Sequence, residues 1–158
     1  MTGLPGEPRG DVDILLIPPD GPDQATAIEV KRLKIRDGSA NKLHEFKKGV
    51  RQANSLEEIG FHQVYLYVLV AVDSRNVNAG EISYDDGISS ELRHHIDQLI
   101  SPHELHDQIG LMHQEFVQPM DSEPLGVGTY GGHLVRLATG RARHYEVTKW
   151  VANVVAAA

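Results

Sequence analysis

Residues 10–35 read GDVDILLIPPDGPDQATAIEVKRLKI, and the fold class follows from how this stretch divides. Val12 to Ile17 is a short apolar run, ended by Pro18, Pro19, Asp20, Gly21 and Pro22, a concentration of turn-forming residues that imposes a bend. Beyond the bend the chain alternates from Ala25 to Ile35. Ala25, Ala27, Glu29, Lys31 and Leu33 fall on one face of an extended strand, with Thr26, Ile28, Val30, Arg32 and Lys34 on the other. Two strands joined by a turn predict an antiparallel hairpin. With the turn centred on Gly21, positions equidistant from it lie opposite one another, which sets Asp13 across from Glu29. Directly opposed side chains share a face of the sheet at about 4.5–5.5 Å, and Lys31 projects from that face about 6–7 Å further along. Asp11 would oppose Lys31, so the same charges can also be read as an exposed cross-strand ion network of little energetic weight.

Outward from the hairpin the spacing becomes helical at Asn41. Leu43, Phe46, Val50, Ala53, Leu56 and Ile59 recur every three or four residues, and Gly60 supplies a stop. Lys48 and Gln52 share a different face of this helix. Val64 to Val72 is then continuously apolar, as expected of a strand covered on both faces, and is about half the length needed to cross a membrane as a helix. Strand, helix, strand implies a crossover that lays Val64–Val72 parallel to one hairpin strand. The expected fold class is therefore α/β, a central mixed β-sheet flanked by helices. Asp73 to Ile88 reads as a loop, and Ser89–Ile100 and His103–Ile109 as helices parted by Pro102. Gln114–Gln118 and His133–Ala138 read as strands at the sheet edge. Tyr145–Val155 closes the chain as a helix with Val147, Trp150, Val151, Val154 and Val155 on one stripe, either core or the seam of a homodimer. Without internal repeats or a domain boundary, residues 1–158 form one domain, with the core motifs in 10–72 and helical and edge-strand additions in 89–158.

A chain of 158 residues, 41% hydrophobic and 23% charged, has the composition of a folded globular domain. It has no cysteine, which removes disulfides, thiolate zinc sites and cysteine nucleophiles, and suits a reducing cytosol. Met1 to Gly10 carries no apolar run of the kind a secretory signal needs. A cytoplasmic protein with no membrane partner is the expectation. The formal net charge of -7 argues against coating nucleic acid by bulk electrostatics. Charge is uneven, however: Lys31 to Arg51 holds eight basic residues against two acidic ones, more than half of all 15 Lys and Arg. That segment is either a solvated helix face with a basic loop or a surface that meets phosphates.

The residue types opposed in the hairpin suit one reaction. Hydrolysis of a phosphodiester needs stabilisation of a charged phosphorane-like state and a nucleophilic water, and a Mg²⁺ ion held by a few carboxylates supplies both. Asp13 and Glu29 are the candidate metal ligands, with the Val30 carbonyl as an additional oxygen and its side chain expected in the core. Lys31 is placed to stabilise developing negative charge and to orient or deprotonate the water. Gly10-Asp11-Val12-Asp13 followed by Ile28-Glu29-Val30-Lys31 resembles the second and third motifs of the PD-(D/E)XK nucleases. In that superfamily the acidic and Glu-x-Lys strands precede a helix bearing a polar residue, often Gln, and then another core strand, places that Gln52 and Val64–Val72 match. The resemblance covers roughly residues 10–72. It implies a restriction-endonuclease-like core, and Asp13, Glu29 and Lys31 as the catalytic set with Mg²⁺, or Mn²⁺ as substitute. It also implies DNA as partner, contacted by Lys48, Gln52, Lys34 and Arg51. Many members add an acidic residue from a preceding helix, and Glu7 is the sole acid upstream of Asp11. The alternative is a nuclease-fold module without catalysis that binds nucleic acid or a partner protein.

Other motifs carry less. Gly126-Val127-Gly128-Thr129-Tyr130-Gly131 has dinucleotide-binding spacing, but Pro124 precedes it and a strand pattern follows, so a turn is expected. His103 and His106, with His94, His95 and His113 nearby, could present zinc ligands, though a solvated polar helix face is the simpler reading. Ser89 and Ser90 lack the setting of a nucleophilic serine.

Overall fold

The hairpin forms in the register that a turn at Gly21 sets. In the computed structural model, residues 12–19, 21–36, 39–41, 43–73, 82–83, 87–88, 94, 98, 104–118, 128–142 and 144–157 are described. Strand β1 (Ile14–Leu16) runs antiparallel to β2 (Thr26–Arg36), with Ile14 opposite Ile28, Leu15 opposite Ala27 and Leu16 opposite Thr26. Gly21 takes a φ of 133°, open to glycine and strained for other residues, and leads into a short 3-10 turn at Pro22–Gln24. A short β3 (Ser39–Asn41) folds back on the far end of β2.

Helix α1 (Leu43–Ile59) ends at Gly60, whose φ of 103° reverses the chain. Strand β4 (Gln63–Asp73) then lies parallel to β2, with Leu66 beside Glu29 and Val68 beside Lys31. Strands β5 (Ile82–Ser83) and β6 (Gly87–Ile88) form a separate two-stranded ladder. Strand β7 (Gly110–Gln118) pairs parallel to β4, and β8 (Gly128–Arg136) antiparallel to β7, giving the order β1-β2-β4-β7-β8 with β3 off β2. Helix α2 (Tyr145–Ala156) completes an α/β fold with a mixed sheet. Among the described residues no helix is long and apolar enough to cross a membrane.

The core gathers on the odd-numbered face of β2. Phe46, Val50, Ala53 and Leu56 of α1 cluster with Ala27 and Leu33 of β2, with Val64, Leu66, Val68 and Val70 of β4, and with Val147 and Val151 of α2. Several expectations need correction. Strand β4 is not equally covered: Val64, Leu66, Val68 and Val70 are buried, whereas Tyr65, Tyr67 and Leu69 on the other face are half-buried, with the Tyr67 hydroxyl donating to Gln114 Oε1 at 3.3 Å. Val30 is half-buried on that second face, outside the main core. Gln114–Gln118 belongs to an interior strand, because β8 pairs on its outer side. Gly128 to Gly131 lies within β8 rather than in a turn, while Gly126 and Val127 fall outside the described residues. In the closing helix Val147 and Val151 are buried and Val154 and Val155 exposed. Trp150 meets the Phe61 ring edge-on at 6.1 Å, which makes it a core-margin residue. Of Ser89–Ile100, His94 and Gln98 are described, and both are helical.

Residues 104–109 form turns, not the expected helix. The cause is competition for their backbone groups. Asn54 donates to the Glu104 carbonyl at 2.9 Å and accepts from the His106 N–H at 3.1 Å. Arg136 donates to the carbonyls of Ile109 and His106, at 2.8 and 3.0 Å, so tertiary donors take acceptors that a helix would use internally. Beside this turn Glu57 is buried, with His106 Nδ1 at 3.1 Å from its Oε2 and the Arg141 guanidinium on its Oε1. Removing a cation from a buried carboxylate exposes the cost of burying it. Arg141→Met is therefore expected to destabilise the fold by about 2–3 kcal/mol, and Glu57→Gln by less, as read from urea midpoints. Equal losses would show that the ion pair does not organise this corner.

Candidate functional site

Glu29 and Lys31 lie on the face of β2 that α1 covers, a consequence of strand parity: both are odd-numbered, as are the core residues Ala27 and Leu33. Glu29 is 0% exposed, an unusual position for a carboxylate among apolar neighbours. Its Oε1 contacts the Lys31 ammonium. Its Oε2 is buried without a hydrogen-bond partner among the described residues. Lys31 reaches Glu29 because α1 passes close above it at Gly49. A Cβ there would collide with Lys31 Cγ and lie 3.2 Å from Cδ and Cε, so the missing side chain makes room for the lysine stem.

Asp13 precedes β1 by one residue and is exposed. Its Oδ2 accepts the Val30 N–H at 2.7 Å, extending the hairpin's hydrogen bonding by a side chain where the strand pairing stops. Val30 thus enters the site through its N–H.

Burial pushes the Glu29 carboxyl up from its ordinary 4.5. The hydrogen bond and charge of Lys31 pull it down, the Asp13 charge pushes it up, Lys48 pulls it down, and burial prevails. Lys31 is in contact with the carboxylate, and Asp13 and Lys48 lie near enough for their charges to act on it. Asp13 and Glu29 offer only oxygen, the donor type that hard divalent cations take, from one exposed carboxylate and one buried carboxylate whose Oε2 lacks a hydrogen bond among the described residues.

The residues expected to meet nucleic acid divide. Lys48 is exposed on α1 within electrostatic reach of Glu29. Gln52, one turn further along, is half-buried, with its Oε1 shielded from solvent and without a hydrogen-bond partner among the described residues. Lys34 lies on the opposite face of β2, and Arg51 on the solvent side of α1, so neither converges on the carboxylates. Alternation along β2 and the helical period of α1 separate them. Asp11 and Glu7 fall outside the described residues.

A second polar group was not legible as such. His113 and Glu115 of β7 and His133 of β8 come together, their ligand atoms all within 4.8 Å of one another. Of the histidines weighed as zinc ligands, His106 pairs with Glu57 rather than lying on a solvated helix face, His113 sits in a buried strand, and His95 and His103 fall outside the described residues. The available signal was the His-x-Glu alternation at 113 and 115 within an apolar run, which puts both side chains on one face. Comparisons of the chain with known protein families, with curated proteins and with solved structures return no match in any of the three.

Two outcomes test this geometry. Gly49→Ala should gain about 1 kcal/mol from helix propensity, yet is expected to lose about 1–3 kcal/mol from crowding Lys31. In a Lys31→Ala background the same change should become stabilising, and denaturation of the four proteins of this cycle measures the coupling. The raised Glu29 carboxyl favours the protonated form on folding, so its contribution is fully present below pH 4.5 and is lost as pH rises through the folded-state value. Glu29→Gln, neutral at every pH, should then exceed the unaltered protein in melting temperature at pH 7, with the advantage shrinking as pH falls through the folded-state value toward 4.5 and changing no further below it. No gain at pH 7 would mean that Lys31 fully compensates the buried charge.

Proposed function

We propose that the protein is a Mg²⁺-dependent nuclease of the PD-(D/E)XK kind, acting on DNA, with a restriction-endonuclease-like core. The observation that carries this reading is the buried Glu29 carboxylate with Lys31 on one oxygen, the other without a hydrogen bond, and the Asp13 charge alongside. Mg²⁺ held by Asp13 and Glu29 would supply charge stabilisation at the phosphate and a more acidic water.

The chain's own residues account for the remaining requirements. Glu29 is anchored in β2 between strands β1 and β4, and the sheet fixes its backbone. Asp13 is oriented by the Val30 N–H. The Lys31 ammonium carries a positive charge beside the carboxylates, where it can orient the attacking water and stabilise charge developing on the phosphoryl oxygens. The Lys31 ammonium sits on one Glu29 oxygen and offsets part of the cost of its burial before any cation arrives. Lys48, exposed near Glu29, attracts the substrate backbone and offsets the repulsion expected from a net charge of -7.

The second reading is a binding module of the same fold without catalysis, supported by the complete burial of Glu29 and its contact with Lys31. Purified protein incubated with plasmid, linear, branched and single-stranded DNA in Mg²⁺ or Mn²⁺ separates the two. Cleavage of one substrate is expected, falling about 10²–10⁴-fold in Lys31→Ala. Equal cutting by both proteins would overturn the catalytic assignment, and salt-sensitive binding without cleavage would establish the module.

A further inference from the structure

We propose that His113, Glu115 and His133 form a binding site for a divalent transition-metal ion of the Zn²⁺ class, separate from the Asp13–Glu29–Lys31 site. The sheet builds it. His113 and Glu115 are two residues apart on β7 and face the same side, and His133 of β8 is the register partner of His113. Irregularities in the β7–β8 ladder fall between Leu111 and Met112 and between Gln114 and Glu115, one on each side of His113. Such bulges re-aim side chains, and proteins place them beside functional groups.

The distances suit one ion. His113 Nε2 lies 3.5 Å from Glu115 Oε1. Two ligands about 2.1 Å from a tetrahedral ion stand roughly 3.4 Å apart. The His113 and His133 rings have centroids 4.8 Å apart and are tilted by 47°, neither stacked nor edge-on. The ligand atoms of all three lie within 4.8 Å of one another.

The surroundings ask for a ligand. His113 is 3% exposed, and neither of its ring nitrogens has a hydrogen-bond partner among the described residues. A buried imidazole in that condition is costly, and coordination through one nitrogen removes part of the cost. Two imidazoles and one carboxylate select Zn²⁺, Co²⁺, Ni²⁺ or Fe²⁺ over Mg²⁺ and Ca²⁺, which prefer oxygen alone. Three ligands leave a position for water or a further group, and an ion there would tie edge strand β8 to β7.

Zn²⁺ is the probe. Chelator-stripped protein is titrated with Zn²⁺ by calorimetry and with Co²⁺ by visible absorption, whose band intensities report the coordination number. One tight ion per chain is expected. His133→Ala changes a partly exposed residue whose loss leaves the core intact. That variant and Glu115→Gln should each weaken this ion by at least about 10–100-fold, the range already seen when only a ligand's support is disturbed. Circular dichroism confirms that both fold. His94→Ala and Lys31→Ala should retain full affinity. Binding that survives both His133→Ala and Glu115→Gln unchanged, or that falls only in His94→Ala, overturns the site.

Discussion

A carboxylate buried beneath a helix is the constraint around which the rest of this molecule is arranged. Glu29 sits on the face of β2 that apolar residues of α1 cover, where an isolated charge is strongly disfavoured. Lys31 answers that charge from two residues along the same strand. It reaches over because Gly49 leaves space in the covering helix. The hairpin register, the crossover and the glycine thus serve one carboxyl group, an arrangement that sheet stability alone does not require. Local violations of packing rules of this kind gather where a protein does its chemistry.

Much of this was readable from residue order. The Pro-Pro-Asp-Gly-Pro bend located the hairpin turn and its register to the residue, because Gly21 is placed where a positive φ is needed. The first helix and the strand after Gly60 followed from a change of apolar period and a helix stop. The helix begins at Leu43, however, and Asn41, from which helical spacing was expected, pairs in β3. Parity placed Glu29 and Lys31 on one face, but could not say which face the helix would cover. Ile28 and Val30 are as apolar as Ala27 and Leu33, so Val30 was expected inward when the charged face is the buried one.

The remaining differences share a physical origin in long-range contacts. Residues 104–109 have the composition of a helix, yet Asn54 and Arg136, both distant in sequence, take their backbone groups. The His113–Glu115–His133 group depends on pairing β7 with β8 through a ladder with two irregularities, and alternation cannot count across such shifts. The placement of Lys34 and Arg51 away from the carboxylates shows that a dense basic segment need not form a single surface. A strand and a helix send its members in different directions.

The row that crosses the sheet from Lys31 through Val68 to His113 has a consequence for stoichiometry. Two interstrand steps, about 9.5 Å in all, separate β2 from β7, and the buried isopropyl group of Val68 stands between them. Paired ions that grip one scissile phosphate sit only about 3.5–4 Å apart. A hard cation at the carboxylates and a soft one at the imidazoles would accordingly load as independent equivalents, each with its own isotherm, and could not straddle the same phosphorus.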